Sequence, residues 1–104
     1  MGKTIYIAGK ITGDKDYKIK FCKAEVKLRN EGYKVLNPSF LPEGLENRQY
    51  MDICFAMMRQ SDAVYFLEDW KDSPGARVEH AVAEYEEKDI IYEEDEVNDL
   101  SEMR

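Results

Sequence analysis

The sequence predicts one small α/β domain built around a parallel sheet. Its 104 residues leave room for a single domain, which we expect over residues 1–93, followed by an acidic tail over residues 94–104. Short apolar runs alternate along the chain with stretches of helical periodicity. This alternation of strand and helix implies parallel strands joined by right-handed crossovers.

The first half of the chain predicts a strand, a helix and a second strand. Thr4–Ala8 is typical of a buried strand because it is rich in β-branched and aromatic residues. A helix is expected from about Asp16 to Asn30, where Gly32 is well placed to end it, and Tyr33–Leu36 form the second strand. The expected apolar face of this helix comprises Ile19, Cys22, Ala24, Val26 and Leu28.

The second half repeats the alternation after a loop that contains Pro42 and Gly44. Its predicted elements are a helix over Arg48–Gln60 capped by Asn47, a strand over Asp62–Leu67, a loop over Glu68–Pro74, a helix over Gly75–Lys88 and a strand over Asp89–Tyr92. We therefore expect a flavodoxin-like or Rossmann-like three-layer sandwich with a four-stranded parallel sheet in the order 2-1-3-4. The apolar helix and the small core also predict a homodimer or a higher homo-oligomer.

A sheet of this order predicts where a ligand would bind. Ligands bind beyond the carboxyl ends of parallel strands at the switch point, here between the first and third strands. The loops Gly9–Asp14 and Glu68–Gly75 should face one another there. The candidate binding residues of the first loop are Gly9, Lys10, Ile11, Thr12 and Gly13. The alternative is an ordinary strand-to-helix turn, because the glycine spacing is not that of a known phosphate loop.

The second loop carries the other candidates. Ser73 or Asp72 could cap the helix that Gly75 opens, which would leave backbone N–H groups available to an anion. Glu79 lies one turn inside this helix and could reach the floor of the cleft. The alternative is that Asp72 and Ser73 are simple caps and that Glu79 is an ordinary helix residue. Tyr6, near the end of the first strand, is likewise either a core residue or a group that orients a carboxylate.

Composition excludes several classes of function. A net charge of −7 argues against binding to duplex nucleic acid, which requires a basic surface. One histidine, His80, and two cysteines without metal-type spacing predict no metal site, and we expect no cofactor. The sequence shows no apolar run of membrane-spanning length, so a cytoplasmic protein without a membrane partner is expected.

Three segments in order resemble the nucleoside 2-deoxyribosyltransferase superfamily: Ile5–Gly9, Ser61–Val64 and Asp72–Glu79. The resemblance spans about residues 3–93 and is strongest to a group of short bacterial and phage proteins of that superfamily. It implies that Glu79 is the nucleophile that attacks the anomeric carbon of a deoxyribose, and that Tyr6 positions it.

The chain is also similar to the branch of that superfamily that hydrolyses 2′-deoxynucleoside 5′-monophosphates. This similarity implies that Ser73 contacts a 5′-phosphate and that the first loop binds phosphate. Trp70 and Gly75 complete the predicted substrate-binding residues. The expected ligand is thus a small-molecule nucleoside or nucleotide, and the expected reaction is cleavage of the N-glycosidic bond or transfer of the deoxyribosyl group.

The sequence departs from the superfamily at two positions. The superfamily often places an Asp eight residues before the Asp that corresponds to Asp62, and Cys54 stands there. Asp52 lies about 200° around the helix from Cys54, so it is no simple replacement, whereas Asp72 or a group from a neighbouring subunit could serve as the acid. Thr12 replaces an Arg of the monophosphate branch, for which Lys10 could compensate.

The alternative functions are a nucleotide-binding protein without turnover, as a sensor or a ligand sink, and an interaction domain with an empty cleft.

Overall fold

Residues 2–96, which the computed structural model describes, form four strands and three α-helices in strict alternation. The elements are β1 (Thr4–Ala8), α1 (Tyr17–Asn30), β2 (Lys34–Leu36), α2 (Asn47–Arg59), β3 (Ala63–Phe66), α3 (Pro74–Tyr85) and β4 (Asp89–Tyr92). Short 3₁₀ turns over Pro38–Phe40 and Trp70–Asp72 interrupt two of the loops. The predicted α/β fold is confirmed.

The four strands form one parallel sheet in the predicted order, β2-β1-β3-β4. The central pair is in register from Ile5 opposite Ala63 to Ala8 opposite Phe66. Strand β4 continues this register on the other side of β3. Because β1 and β3 run side by side in the same direction, the loops that follow them leave the sheet at one edge.

Successive side chains of the central strands point to opposite faces of the sheet, and each face has its own core. On one face, Tyr6 and Val64 pack with Cys54 and Met58 of α2 and with Ala83 of α3. The opposite face holds a second cluster beneath α1, formed by Ile5, Ile7, Phe21, Ala24, Leu28, Ala63, Tyr65 and Leu67. Burial on both faces explains why β1 and β3 read as nearly continuous apolar runs.

The predicted apolar face of α1 is wrong in three of its five positions. Phe21, Ala24 and Leu28 are the buried residues, whereas Ile19 is 57% exposed and Val26 is 61% exposed. Cys22 is exposed as well. The sequence contains two apolar stripes with the same helical spacing, about 200° apart, and the stripe that includes the larger Phe21 faces the sheet.

Two other predictions need correction at helix ends. Helix α2 begins at Asn47 and its cap is Glu46, because Gln49 Oε1 accepts from the Glu46 N–H at 2.9 Å and the Glu46 side chain accepts from the backbone of Gln49. This reciprocal arrangement is a capping box. Helix α3 ends at Tyr85 instead of Lys88, since Glu87 takes a left-handed conformation with φ of 57° that stops the helix.

The predicted tail lies partly outside the described residues, which end at residue 96. Residues 93–96 form a helical turn, and Glu96 makes an ion pair with Lys27 of α1. Between residues 2 and 96, no helix has the length and apolarity needed to cross a membrane.

Candidate functional site

A cleft of about 440 Å³ lies at the carboxyl edge of the sheet, where β1 and β3 end. Its position is the predicted switch point. Six of the predicted binding residues line it: Gly9, Lys10, Ile11, Thr12, Ser73 and Gly75. The three predicted catalytic residues also line it: Tyr6, Asp72 and Glu79. The sheet order therefore brings together two loops that are about 60 residues apart in the chain.

A buried hydrogen bond lies at the floor of the cleft. Tyr6 points from β1 toward α3, and its hydroxyl donates to Glu79 Oε2 at 2.6 Å. Tyr6 is 1% exposed and Glu79 is 5% exposed, so this is a tyrosine–carboxylate pair inside an apolar surrounding. A carboxylate is rarely buried to this degree without a functional or structural reason, because removing its charge from water is costly.

Burial sets the protonation of both partners. It raises the pKa of Glu79 to about 7, although the hydrogen bond from Tyr6 acts in the opposite direction. Burial, and then the negative charge of Glu79, hold the pKa of Tyr6 well above its usual value. Tyr6 therefore keeps its proton and acts as a donor, while Glu79 changes charge near neutral pH.

Cys54 of α2 is the side chain that lies beside this pair. It is buried and lines the cleft, and burial raises the pKa of its thiol to about 11. A thiol of this pKa stays protonated and is a poor proton donor at neutral pH. Asp52, two residues earlier, is exposed on the outer side of α2 and does not contribute to the described lining of the cleft.

The amino terminus of α3 forms one wall of the cleft. Ser73 is its cap, since Ser73 Oγ accepts from the Ala76 N–H at 3.2 Å and Pro74 occupies the first helical position. The predicted choice between Ser73 and Asp72 as the cap is thus settled in favour of Ser73. A Cβ added to Gly75 would lie 3.1 Å from Met51 Sδ, so the glycine lets α2 approach α3 closely.

The opposite wall is the loop between β1 and α1, which is tied to the loop after β3. The backbone N–H of Lys10 donates to Asp69 Oδ1 at 3.1 Å. Lys20 Nζ of α1 forms ion pairs with both Asp14 and Asp69. We call Lys20, Asp14 and Asp69 the loop clamp, because one lysine joins the two loops that flank the cleft.

Two predicted binding residues lie elsewhere. Gly13 is on the outer side of its loop, beside Asp14, where it takes a left-handed conformation with φ of 83°. Trp70 is 8% exposed and packs beneath α3, with its ring stacked on His80 at a centroid distance of 4.2 Å. His80 Nε2 in turn lies 2.6 Å from the Tyr92 hydroxyl oxygen. Trp70 and His80 therefore belong to an aromatic cluster of the core.

Sequence reasoning missed the wall that α2 and the preceding loop provide. The additional lining residues there include Pro38, Asn47, Tyr50 and Met51, and Val78 adds to the wall formed by α3. Tyr50 is held in place by donating its hydroxyl proton to the Pro42 carbonyl at 2.7 Å. The sequence signal that was available is that this helix is apolar around most of its circumference. A helix that packs on the core with one stripe is apolar on one side only.

Comparison with protein families gives a match over most of the chain. Residues 3–92 match the family described as a domain of unknown function, DUF4406. No curated protein and no solved structure matches the chain. The family match covers both loops of the cleft, the Tyr6–Glu79 pair and all four strands of the sheet, and the chain belongs to the DUF4406 family.

Proposed function

We propose that this protein cleaves the N-glycosidic bond of a nucleoside or nucleotide, or transfers the deoxyribosyl group, through a carboxylate nucleophile. The substrate that we favour is a deoxynucleoside 5′-monophosphate. The observation that carries the proposal is the buried hydrogen bond of 2.6 Å between Tyr6 and Glu79 at the floor of the cleft. The resemblance to the nucleoside 2-deoxyribosyltransferases, in which these positions are the positioning tyrosine and the nucleophile, supports it.

The geometry suits nucleophilic attack at a sugar carbon. Tyr6 donates to Glu79 Oε2, and Glu79 Oε1 has no partner in the part of the chain that the structure describes. Oε1 is therefore the atom that would attack C1′ as the base leaves, to form a glycosyl ester. Water or a second base would then release the sugar with overall retention of configuration.

The amino terminus of α3 supports a phosphorylated substrate. The Ser73 hydroxyl uses its oxygen as a cap acceptor but keeps its own proton, which can be donated to a phosphate oxygen. The positive end of the helix dipole adds a favourable interaction with an anion at this place. Lys10 in the facing loop lines the same cleft and supplies a cation.

The main alternative is a nucleotide-binding protein without turnover, a sensor or a ligand sink. Cys54 favours it, because a buried thiol stands where the superfamily often has an acid. Both functions predict binding of a nucleotide in the cleft, but only the first predicts release of the base.

We also propose that the protein is a cytoplasmic homodimer or a higher homo-oligomer. Helix α2 motivated this prediction, but it buries Cys54 and Met58 in the chain's own core and half-buries Phe55 and Met57. Ile53, 38% exposed, remains on its outer side. Sedimentation at micromolar concentration tests the prediction, and a monomer would contradict it.

The decisive experiment is an assay of base release. The purified protein is incubated with deoxynucleosides and their 5′-monophosphates, and free base is followed by chromatography. We expect release that disappears in Glu79→Gln and persists in Asp52→Asn, a matched change of an exposed carboxylate outside the cleft. Thermal stabilisation by one of these compounds without any release of base would support the nucleotide-binding alternative instead.

A further inference from the structure

When a neutral nucleobase leaves the sugar, a negative charge develops on the base and has to be neutralised. When the bond from C1′ to a neutral base breaks, the electron pair of that bond stays on the base, which leaves as an anion unless an acid protonates it. Retaining glycosidases, which cleave glycosidic bonds with two carboxylates, use one as the nucleophile and the other as this acid. Release of a neutral base in this cleft therefore requires a group able to donate the proton.

Two carboxylates line the described part of the cleft, Glu79 and Asp72. Glu79 has to be ionised in order to attack, so it holds no proton to give. Asp72 is exposed and lies at the rim, next to Ser73 at the end where the proposed phosphate would bind. Neither group is a buried acid opposite the nucleophile.

The side chain beside the nucleophile is a thiol. Cys54 is 7% exposed, and donating its proton would leave a thiolate in an apolar surrounding next to the negative Glu79. Tyr6 keeps its proton for the same reasons. The adjoining walls are formed by Met51, Tyr50 and Ile11, which offer apolar and aromatic surface to a flat ring.

On the basis of the proposed function, we propose that the substrate is an N-glycoside whose base already carries a positive charge, such as an N7-alkylated purine nucleotide or a pyridinium nucleotide. Glu79 forms a bond to C1′, the C1′–N bond breaks, and its electron pair neutralises the positive nitrogen. The base leaves as a neutral molecule, and no proton donor is required. Water then adds to C1′, which releases the sugar, the Glu79 carboxylate and a proton to solvent.

The electrostatics of the cleft suit such a base. Glu79 is the buried carboxylate among the described residues of the lining, and a cation stacked nearby would compensate its charge. Cationic rings also interact favourably with aromatic side chains such as Tyr50 and with polarisable ones such as Met51. A neutral base would receive neither this pairing nor a proton.

The test compares substrates that differ in one methyl group and one charge. Release of base from 7-methylguanosine 5′-monophosphate is measured against guanosine 5′-monophosphate, together with the 2′-deoxy pair, and the rate with Glu79→Gln is subtracted as the background. We expect kcat/KM to be at least about a hundredfold higher for the methylated compounds, the range that acid catalysis contributes when it is needed. Equal rates within a pair, both lost in Glu79→Gln, would overturn this inference and leave the proposed function intact. Absence of Glu79-dependent release from every compound would overturn both.

A pH profile gives an independent readout. Nicotinamide riboside carries a pyridinium and no group that titrates between about pH 5 and about pH 9, so the profile of its cleavage reports on the protein. We expect kcat/KM to rise as Glu79 ionises and then to stay level. A bell-shaped profile with an alkaline limb would reveal a proton donor in the site and would overturn the inference.

Discussion

Glu79 lowers the stability of the fold at neutral and alkaline pH. Its pKa is about 7 in the folded protein, against an ordinary value of 4.5. Between these two pH values the carboxyl is protonated in the folded state and ionised in the unfolded state. Stability contributed by the protonated carboxyl is therefore complete below about pH 4.5 and is lost as pH rises through 7.

Glu79→Gln should consequently stabilise the protein in a pH-dependent way. We expect the free energy of unfolding to rise by up to about 3 kcal/mol near pH 8, but by less than about 1 kcal/mol near pH 5. Urea denaturation at the two pH values measures this difference, with Asp52→Asn as the exposed control. A change of equal size at both pH values would show that Glu79 does not titrate in this window.

Tyr6→Phe should change the pKa of the same carboxyl, because it removes the hydrogen-bond donor of Glu79. The hydroxyl donates to Glu79 and so favours its ionised form; without it, the pKa of Glu79 should rise further. The rising limb of the pH–rate profile is then expected to move to higher pH, and activity near pH 7 to fall about tenfold or more. Tyr65→Phe is the control, because Tyr65 is buried on the opposite face of the sheet. An unmoved limb in Tyr6→Phe would argue against Tyr6 as a positioning residue.

At the scale of the elements, the loop clamp fixes the distance between the two walls of the cleft. Lys20→Met would leave Asp14 and Asp69 without their shared cation and let the loops separate. We expect KM for a nucleotide to rise about tenfold, which corresponds to about 1.4 kcal/mol of binding, with a smaller effect on kcat. Lys23→Met, an exposed position on the same helix, should leave KM unchanged. A fall in kcat at constant KM would place Lys20 in a different role.

Two glycines at the cleft should respond differently to alanine. A Cβ on Gly9 would come within 2.7 Å of Leu67 Cδ1, and Leu67 is fully enclosed by the core, so Gly9→Ala should lower the free energy of unfolding by about 1–3 kcal/mol. At Gly75 the nearest atom is the flexible Met51 sulfur at 3.1 Å, and alanine favours a helix. Gly75→Ala should therefore be close to neutral. Chemical denaturation of both variants tests the ranking, and the reverse order would contradict it.

The elements that the sequence predicts best are those with one consistent signal. Strands β1 and β4 have the predicted bounds because apolar runs end sharply at Gly9 and after Tyr92. Helix α1 was predicted with the wrong face because Phe21 and Val26 lie on two stripes of equal spacing, and only packing against the sheet chooses between them. The capping box of α2 was missed because Glu46 is an uncommon cap, although Gln49 three residues later was the available signal.

At the scale of the whole molecule, the sheet order explains how much of the site could be predicted. Tyr6 and Glu79 are 73 residues apart, yet adjacent parallel strands bring them together, so the resemblance and the topology were sufficient to expect the pair. The wall formed by Tyr50 and Met51 was missed, because the apolar circumference of α2 does not show which of its sides lines the cleft, and that depends on how α2 rotates against α3. Trp70 was misplaced because a loop position does not reveal whether a large side chain turns into the core.

Ligand binding should stabilise the entire domain, since both walls of the cleft belong to the same cooperative unit. A nucleotide present at about 100 times its dissociation constant adds about 2.7 kcal/mol, which raises the Tm of a chain of this size by about 10 °C or more. Under the proposed function, Glu79→Gln should retain this shift and should not release base. Loss of the shift in this variant would mean that the carboxylate is required for binding itself. Differential scanning fluorimetry measures both.

The aromatic stack beneath α3 also gives the protein an internal optical probe. Trp70 is the single tryptophan of the sequence, and it precedes Ser73, the cap that borders the cleft, by three residues. Its indole lies against the imidazole of His80. Emission from this indole comes from one known place in the fold, without labelling. Any ligand that shifts Ser73 and the start of α3 changes the overlap of the two rings, so titration by intrinsic fluorescence can follow occupancy of the cleft in real time.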